Sequence, residues 1–347
     1  MGAISNSPFR QYLQALVFCL ARPRVLVLGD MVADEYILGQ PVRLSREAPI
    51  PVLEWLDRYV VPGGAANLAR NVHALGAEVA VAGVIGIDEP GHELRQSLAA
   101  EGIGLTGLIE AANRPTSTKT RVIGGSPQVV SQQIARIDRV VRTELDAPTE
   151  RRLIDYLRSA IATVDAVIIS DYENGVISRN VIEQALPAAW ERGLVVAVDA
   201  HGALERFQGI TVATPNQDEA AAAVGRPLQS DDDVAQAGRE IVRLTSAGGV
   251  VITRGSEGMT VVEANGRAHH LAVAEPSEVR DVTGAGDTVA AVITLALTAN
   301  ASLHDAAYLA NLAAGLVVRR LGTATTTPEE LLDAISRSNI SLERSKR

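Results

Sequence analysis

The sequence predicts a three-layer α/β fold: a mostly parallel β-sheet with helices on both faces, carrying a small β lid. Three observations predict it. Short apolar, β-branched runs alternate with longer amphipathic stretches along most of the chain. Two segments, about 35–61 and 116–139, break that rhythm with alternating apolar residues, prolines or paired glycines and no helical period. The chain has 347 residues, 47% hydrophobic and 21% charged, enough to bury a large core without a disulfide or metal staple.

In order, residues 1–22 form an N-terminal extension with an apolar run at 12–21. That run resembles a short signal segment, but Arg22-Pro23-Arg24 and a strand follow at once, so a helix packed on the body is expected. It is also too short to span a bilayer, which needs about 20 residues. Runs at 25–28, 78–84, 166–169, 195–198, 211–213 and 250–253 read as buried strands. Helical stretches at 65–75, 93–101, 149–163, 178–192 and 232–245 lie between most of them. Asp231, Asp232 and Asp233 open the last of these after Ser230, where carboxylates favour the helix dipole. Helices at 285–299 and 303–321 close a body spanning 23–335, and 336–347 form a C-terminal tail.

Composition excludes several classes. Cys19 is the only cysteine, which removes disulfide scaffolds and cysteine-based structural zinc. A net charge of −9 repels phosphate backbones, so no nucleic-acid partner is expected, and no membrane partner either. Lys119 and Lys346 are the only lysines, so no Gly-Lys pair exists and the P-loop is absent. Gly102-Ile-Gly-Leu-Thr-Gly107 spells GxGxxG, but a helix precedes it and a short strand follows, the reverse of a dinucleotide fingerprint. His269-His270 sits on a strand, where neighbours point to opposite faces.

The chemistry concentrates at Asp281-Val-Thr-Gly-Ala-Gly-Asp287, directly before an apolar helix. Gly284 and Gly286 let the backbone curl with its amides outward at the helix N-terminus, a nest for the charge on a transferring phosphoryl group. Asp287 lies in the first helical turn. It is either a base for an attacking hydroxyl or a helix cap.

This segment and an earlier one together carry a resemblance. Gly63-Gly-Ala-Ala-Asn67, continuing Leu-Ala-Arg-Asn-Val-His-Ala-Leu-Gly-Ala, resembles the first signature of the ribokinase-like (PfkB) carbohydrate kinases; Asp281 to Asp287 resembles the second. The resemblance covers about Arg24 to Asp333 and implies a ribokinase-like three-layer α/β/α domain. Within the family the chain is most similar to kinases of D-glycero-β-D-manno-heptose 7-phosphate. The supporting stretches include Ser45-Arg-Glu-Ala-Pro-Ile-Pro-Val, Ser170-Asp-Tyr, Thr214-Pro-Asn-Gln-Asp-Glu219 and Leu321-Gly-Thr-Ala-Thr.

The resemblance implies ATP-dependent phosphorylation of the anomeric hydroxyl, in ADP-heptose synthesis for lipopolysaccharide core. It implies Asp287 as base and the amides of Gly284, Ala285 and Gly286 as anion hole. Asp30, Asp34, Gly63, Gly64 and Asn67 match sugar-binding positions. Asn216, Gln217, Asp218 and Glu219, spaced N-x-x-E, match the group that organises Mg²⁺ and nucleotide phosphates, with Glu219 acting indirectly on the metal. Thr253, Arg254, Gly255 and Gly258 match a nucleotide-binding turn, and Asn311 with Ala314 the adenine side. Asp281 and Thr283 match positions for a monovalent cation, K⁺. A homodimer through the lids and a cytoplasmic location are implied as well.

Two positions that are usually cationic in similar kinases hold Asn174 and His201 instead, which leaves open what neutralises the nucleotide phosphates, with Arg254 and His201 as candidates. A 7-phosphate also needs a cationic contact, for which Lys119, Arg121 and Arg136 are the candidates. The rival readings are a kinase for another sugar, such as fructose 6-phosphate or ribose, and a non-catalytic sugar-binding regulator on the same fold.

Overall fold

The computed structural model describes residues 7–126, 129–273 and 279–338. In chain order the elements are α1 (Pro8–Cys19), β1 (Arg24–Gly29), β2 (Met31–Leu44), β3 (Pro51–Gly64), α2 (Ala65–Ala74), β4 (Glu78–Gly86), α3 (Glu89–Ala100), β5 (Gly104–Ala111), β6 (Ser117–Ser126) and β7 (Val129–Arg139). There follow α4 (Ala147–Ile161), β8 (Ala166–Asp171), α5 (Arg179–Glu191), β9 (Val195–Ala200), β10 (Val212–Ala213), α6 (Gln217–Val224), α7 (Asp231–Thr245), β11 (Gly249–Thr253), β12 (Met259–Glu263), β13 (Ala268–Leu271), α8 (Ala285–Thr298), α9 (Leu303–Val317) and α10 (Pro328–Arg337).

Nine strands form the main sheet in the order β13-β12-β11-β10-β9-β8-β1-β4-β5. The seven from β11 to β5 are parallel; β12 and β13 add an antiparallel edge. Strand periodicity splits the core between two faces. Val25, Val27, Ala166 and Ile168 pack toward α1, α2, α8, α9 and α10. Leu26, Leu28, Val167 and Ile169 pack toward α4, α5 and α7. That double burial is why these strands read as continuous apolar runs rather than alternating ones.

The lid is a second sheet, β3-β2-β6-β7, built from the two segments that broke the α/β rhythm. β2 pairs antiparallel with β3 and parallel with β6. Its roots are clamped at Asp88, the N-cap of α3, which accepts from Thr116 at the start of β6 and from Arg139 at the end of β7.

The extension at 1–22 does contain a helix, α1, whose contacts are mainly with α10. Helix α10, not singled out in the sequence, runs to Arg337 across the boundary expected at 335, and 339–347 lie outside the described residues. The helix expected at 303–321 ends at Val317. His269 lies against His304, whereas His270 pairs with Thr260, as opposite faces require. Gly102–Gly107 joins α3 to β5, helix before strand. Asp233 closes a capping box with Ser230. No helix among the described residues is long and apolar enough to cross a membrane.

Candidate active site

The polar residues gather at the carboxyl ends of the central parallel strands, where open α/β sheets leave a crevice. Asp30 follows β1, Asp171 ends β8, Asp199 is the penultimate residue of β9, Asn216 follows β10 and Thr253 ends β11. Asn216 and Thr253 form a parallel bridge. The lid leaves the sheet at β1 and re-enters at α2, so its inner face borders this edge.

Two helix starts meet at the centre. Asn67 in α2 donates from Nδ2 to Asp287 Oδ2 at 2.5 Å. Thr288 donates to Asn71 Oδ1 at 2.6 Å and fixes the same crossing. Asp287 is 5% exposed, and its Oδ1 has no partner; neither has Asn67 Oδ1. Two buried acceptors without donors mark a slot that fits hydroxyl groups. Burial, then the charge of Asp199, pushes the Asp287 carboxyl up to about 7, against the lowering effect of Asn67. Asp199 itself is pushed to about 6, chiefly by burial. Gly284 N-caps α8 at φ 79 with no side-chain cap, and a Cβ there would lie 2.7 Å from Asn67 Nδ2. Asp287 therefore does not cap the helix. One expected anion-hole amide differs: the N–H of Ala285 donates to Val282 O at 3.2 Å. Gly286 faces open space.

One lid face carries Asp34 opposite Lys119 and Tyr36 opposite Arg121, with Arg136 and Asp138 beyond them on β7. Asp34 and Arg121 form a buried ion pair at 2.8 Å, their side chains 5% and 12% exposed. Gly63 makes room for it, since a Cβ would lie 2.5 Å from Asp34 Oδ2. Gly64 turns the chain into α2. The Lys119 ammonium lies 4.5 Å from the Tyr172 ring centre, and Arg121 also covers Tyr36, which stacks on Tyr59. Arg136 is bound to Asp138 through two contacts of 2.6 and 2.7 Å.

Several expected ligands are engaged elsewhere. Asp30 accepts from the amides of Tyr172, Asn174 and Val176, so it anchors that loop rather than facing a hydroxyl. Burial and neighbouring Asp171 raise it to about 6. Arg254 is held by Asp231, Glu257 and Gln217 through all three of its nitrogens. Gln217 also donates to Leu228 O, while Asp218 lies in the first turn of α6. Gly255 and Gly258 shape the turn after Thr253. Asn311 donates to Ala272 O at 2.6 Å, which ties α9 to the end of β13 rather than to a base; Ala314 packs against the core. Asp281 accepts from the amides of Thr283 and Gly322 and so closes its own loop.

Asn216 and Glu219 form a complete capping box on α6, and Glu219 Oε1 also binds His201 Nδ1. Burial lowers the His201 pKa, but the hydrogen bond to Glu219 and the charges of Asp199 and Glu219 outweigh it and raise it. Among the described residues no three His, Cys, Asp or Glu side chains are close enough to hold a metal. Glu219 is the carboxylate at this edge that could support Mg²⁺ through water, since that ion keeps its waters and is held largely by substrate phosphates.

The sequence reading passed over Tyr172, Asp199 and Asn71 as site residues. Asp199 had a usable signal, a carboxylate closing a buried apolar strand. Asn71 had one too, four residues after Asn67 on the same helix face. Tyr172 gave none beyond its place beside Asp171.

The pfkB family carbohydrate kinase pattern matches residues 43–330. The chain is 38% identical over 327 residues to "Bifunctional protein HldE" of Geobacter sulfurreducens, covering 94% of this chain and 66% of that one. It is 43% identical over 316 residues to the protein of that name in Azorhizobium caulinodans, covering 90% and 64%. The chain thus spans just under two thirds of these relatives. Phosphofructokinase-2 from Escherichia coli, in a crystal structure with potassium, superposes with a TM-score of 0.73 at 22% identity, over 91% of this chain and 98% of that one. Arabidopsis thaliana ribokinase, complexed with ribose and ATP, gives 0.69 at 20%, over 90% and 99%. These structures share the fold, and with a family match across most of its length, the chain belongs to the pfkB family of carbohydrate kinases.

Proposed function

We propose that the chain transfers the γ-phosphoryl group of ATP to the anomeric hydroxyl of D-glycero-β-D-manno-heptose 7-phosphate, giving the 1,7-bisphosphate. The observation that carries the kinase chemistry is the unpartnered, buried Oδ1 of Asp287 beside the bare N-terminus of α8. A hydroxyl in that slot donates to Asp287. Its oxygen attacks the γ-phosphorus, its proton passes to Asp287, and ADP leaves. A base near 7 is part-ionised at neutral pH and still able to take the proton. The amides of Gly284 and Gly286 at the start of α8 are the ones left to meet the charge on the transferring group. Mg²⁺, bound with ATP, supplies neutralisation of the phosphates, and Glu219 would hold it through water. With Arg254 engaged, His201 is the remaining cationic candidate on the nucleotide side.

The heptose reading draws on the motif resemblance and on the lid. A phosphorylated sugar carries about two charges into a protein of net −9, so it needs a local cationic seat. Lys119, Arg121 and Arg136 share one lid face beside Asp34, and Lys119 makes no ion pair among the described residues. The nucleotide substrate favours a cytoplasmic setting. The lid exposes Leu44, Ile50, Trp55, Leu56 and Ile137, a surface suited to the lid of a second copy.

A coupled ADP assay against heptose 7-phosphate, fructose 6-phosphate and ribose tests the reading. The expected order of kcat/KM puts heptose 7-phosphate first. Preference for fructose 6-phosphate or ribose would replace it with the rival sugar kinase, and absence of ADP release with all three would favour the regulator.

A further inference from the structure

The loop after β8 is held more firmly than an ordinary connection. Asp30 binds three of its amides, at Tyr172, Asn174 and Val176. Asp171 accepts from Glu173 N at 2.9 Å, and Arg114 reaches the carbonyls of Val141, Thr143 and Asn174 together. Arg206 binds both Asp171 and Ile177 O. Glu173 adopts φ 58, a left-handed conformation uncommon for a non-glycine residue, and Gly175 adopts φ 80. A non-glycine residue held in that region by so many ties points to a requirement for what the loop presents.

What it presents is the half-buried ring of Tyr172. Lys119 from the lid lies 4.5 Å from the ring centre. His201, from the segment after β9, approaches with ring centres 4.2 Å apart. Burial, and after it the carboxylates of Asp287, Asp199, Asp34 and Glu219, keep the phenol protonated. One neutral ring therefore receives a side chain from the sugar half and one from the nucleotide half, beside the proposed base. A lysine side chain is long and flexible, and among the described residues Lys119 closes no ion pair, although its cross-strand neighbours Asp34 and Asp138 act on its charge. The π face of Tyr172 is the directed contact it has.

We propose that Tyr172 is a positioning residue whose ring holds the Lys119 ammonium in the pose that meets the substrate's phosphate, an inference that rests on the lid-cation reading above. It acts through Lys119 and does not touch the reacting atoms.

The test is a double-mutant cycle in steady-state kinetics with heptose 7-phosphate and ATP. Tyr172→Leu removes the π face and should raise KM for heptose 7-phosphate about 3- to 30-fold, the range of a partly desolvated cation–π contact. Tyr172→Phe keeps the face and should restore KM to within about threefold of wild type, which also guards against a loop that fails to form in the leucine variant. In a Lys119→Ala background, Tyr172→Leu should shift this KM no further. Additive effects, or a phenylalanine variant as impaired as the leucine one, would overturn the proposal and leave Lys119 as phosphate contact intact. If Lys119→Ala itself leaves KM unchanged, the lid-cation reading and this proposal both fall.

Discussion

Replacing Asp287 with Asn should cut turnover sharply and make the protein progressively more stable than wild type as pH rises from about 4 to 7. The amide keeps the shape of the side chain, and its oxygen can still accept from Asn67 Nδ2, now 2.5 Å from Oδ2. It cannot take a proton from an attacking hydroxyl, so kcat should fall roughly 10²–10⁴-fold. The stability effect follows from the environment of the carboxyl. Burial and Asp199 raise it from 3.8 to about 7. At 1.36 kcal/mol per unit, the folded state disfavours the ionised form by at most about 4 kcal/mol, part of it shared with Asp199. Between about pH 4 and 7 the folded protein keeps a proton on Asp287 that the unfolded chain releases. Wild-type stability therefore falls with rising pH across that window and is flat above it. The Asn variant lacks this slope. Asp30 titrates in both proteins and largely cancels in the difference, whereas the part shared with Asp199 reduces the offset. Urea unfolding without nucleotide should show the variant's advantage over wild type growing by about 1–3 kcal/mol between pH 5 and pH 8. An equal offset at both pH values, or turnover within tenfold of wild type, would refute the reasoning.

Gly63→Ala would place a Cβ 2.5 Å from Asp34 Oδ2, displacing the carboxylate that Arg121 holds. We expect a loss of about 1–3 kcal/mol in stability and a raised KM for the sugar with KM for ATP unchanged, measured by unfolding and steady-state kinetics. Glu219→Gln can still close the capping box with Asn216, so stability should move by under about 0.5 kcal/mol. The Mg²⁺ concentration for half-maximal rate should rise, and an unchanged Mg²⁺ titration would leave Glu219 as a cap alone.

The sheet was legible because strands buried on both faces leave unbroken runs such as 25–28 and 166–169. The lid was legible because it alternates. The two glycine-rich signatures lie about 220 residues apart in sequence, and the structure joins them where α2 meets α8, at Asn67 with Asp287 and Asn71 with Thr288. Residue type shows what a side chain can bind but not which neighbour already binds it. Asp30, Arg254 and Asn311 have ligand chemistry, yet each is committed to amides, carboxylates or a carbonyl nearby. Tyr172 was hidden for the converse reason. Its place depends on Lys119 and His201 arriving from separate elements, which no local pattern records.

The central claim is transfer of a phosphoryl group to the anomeric oxygen of a sugar that already carries a phosphate. Proton-coupled phosphorus NMR of the product from ATP and heptose 7-phosphate tests it most directly. The account predicts a second sugar phosphorus signal coupled to the anomeric proton, absent when the Asp287→Asn variant replaces wild type. A new phosphate coupled to any other sugar proton, or the same signal from the Asp287→Asn variant at the wild-type rate, would contradict it.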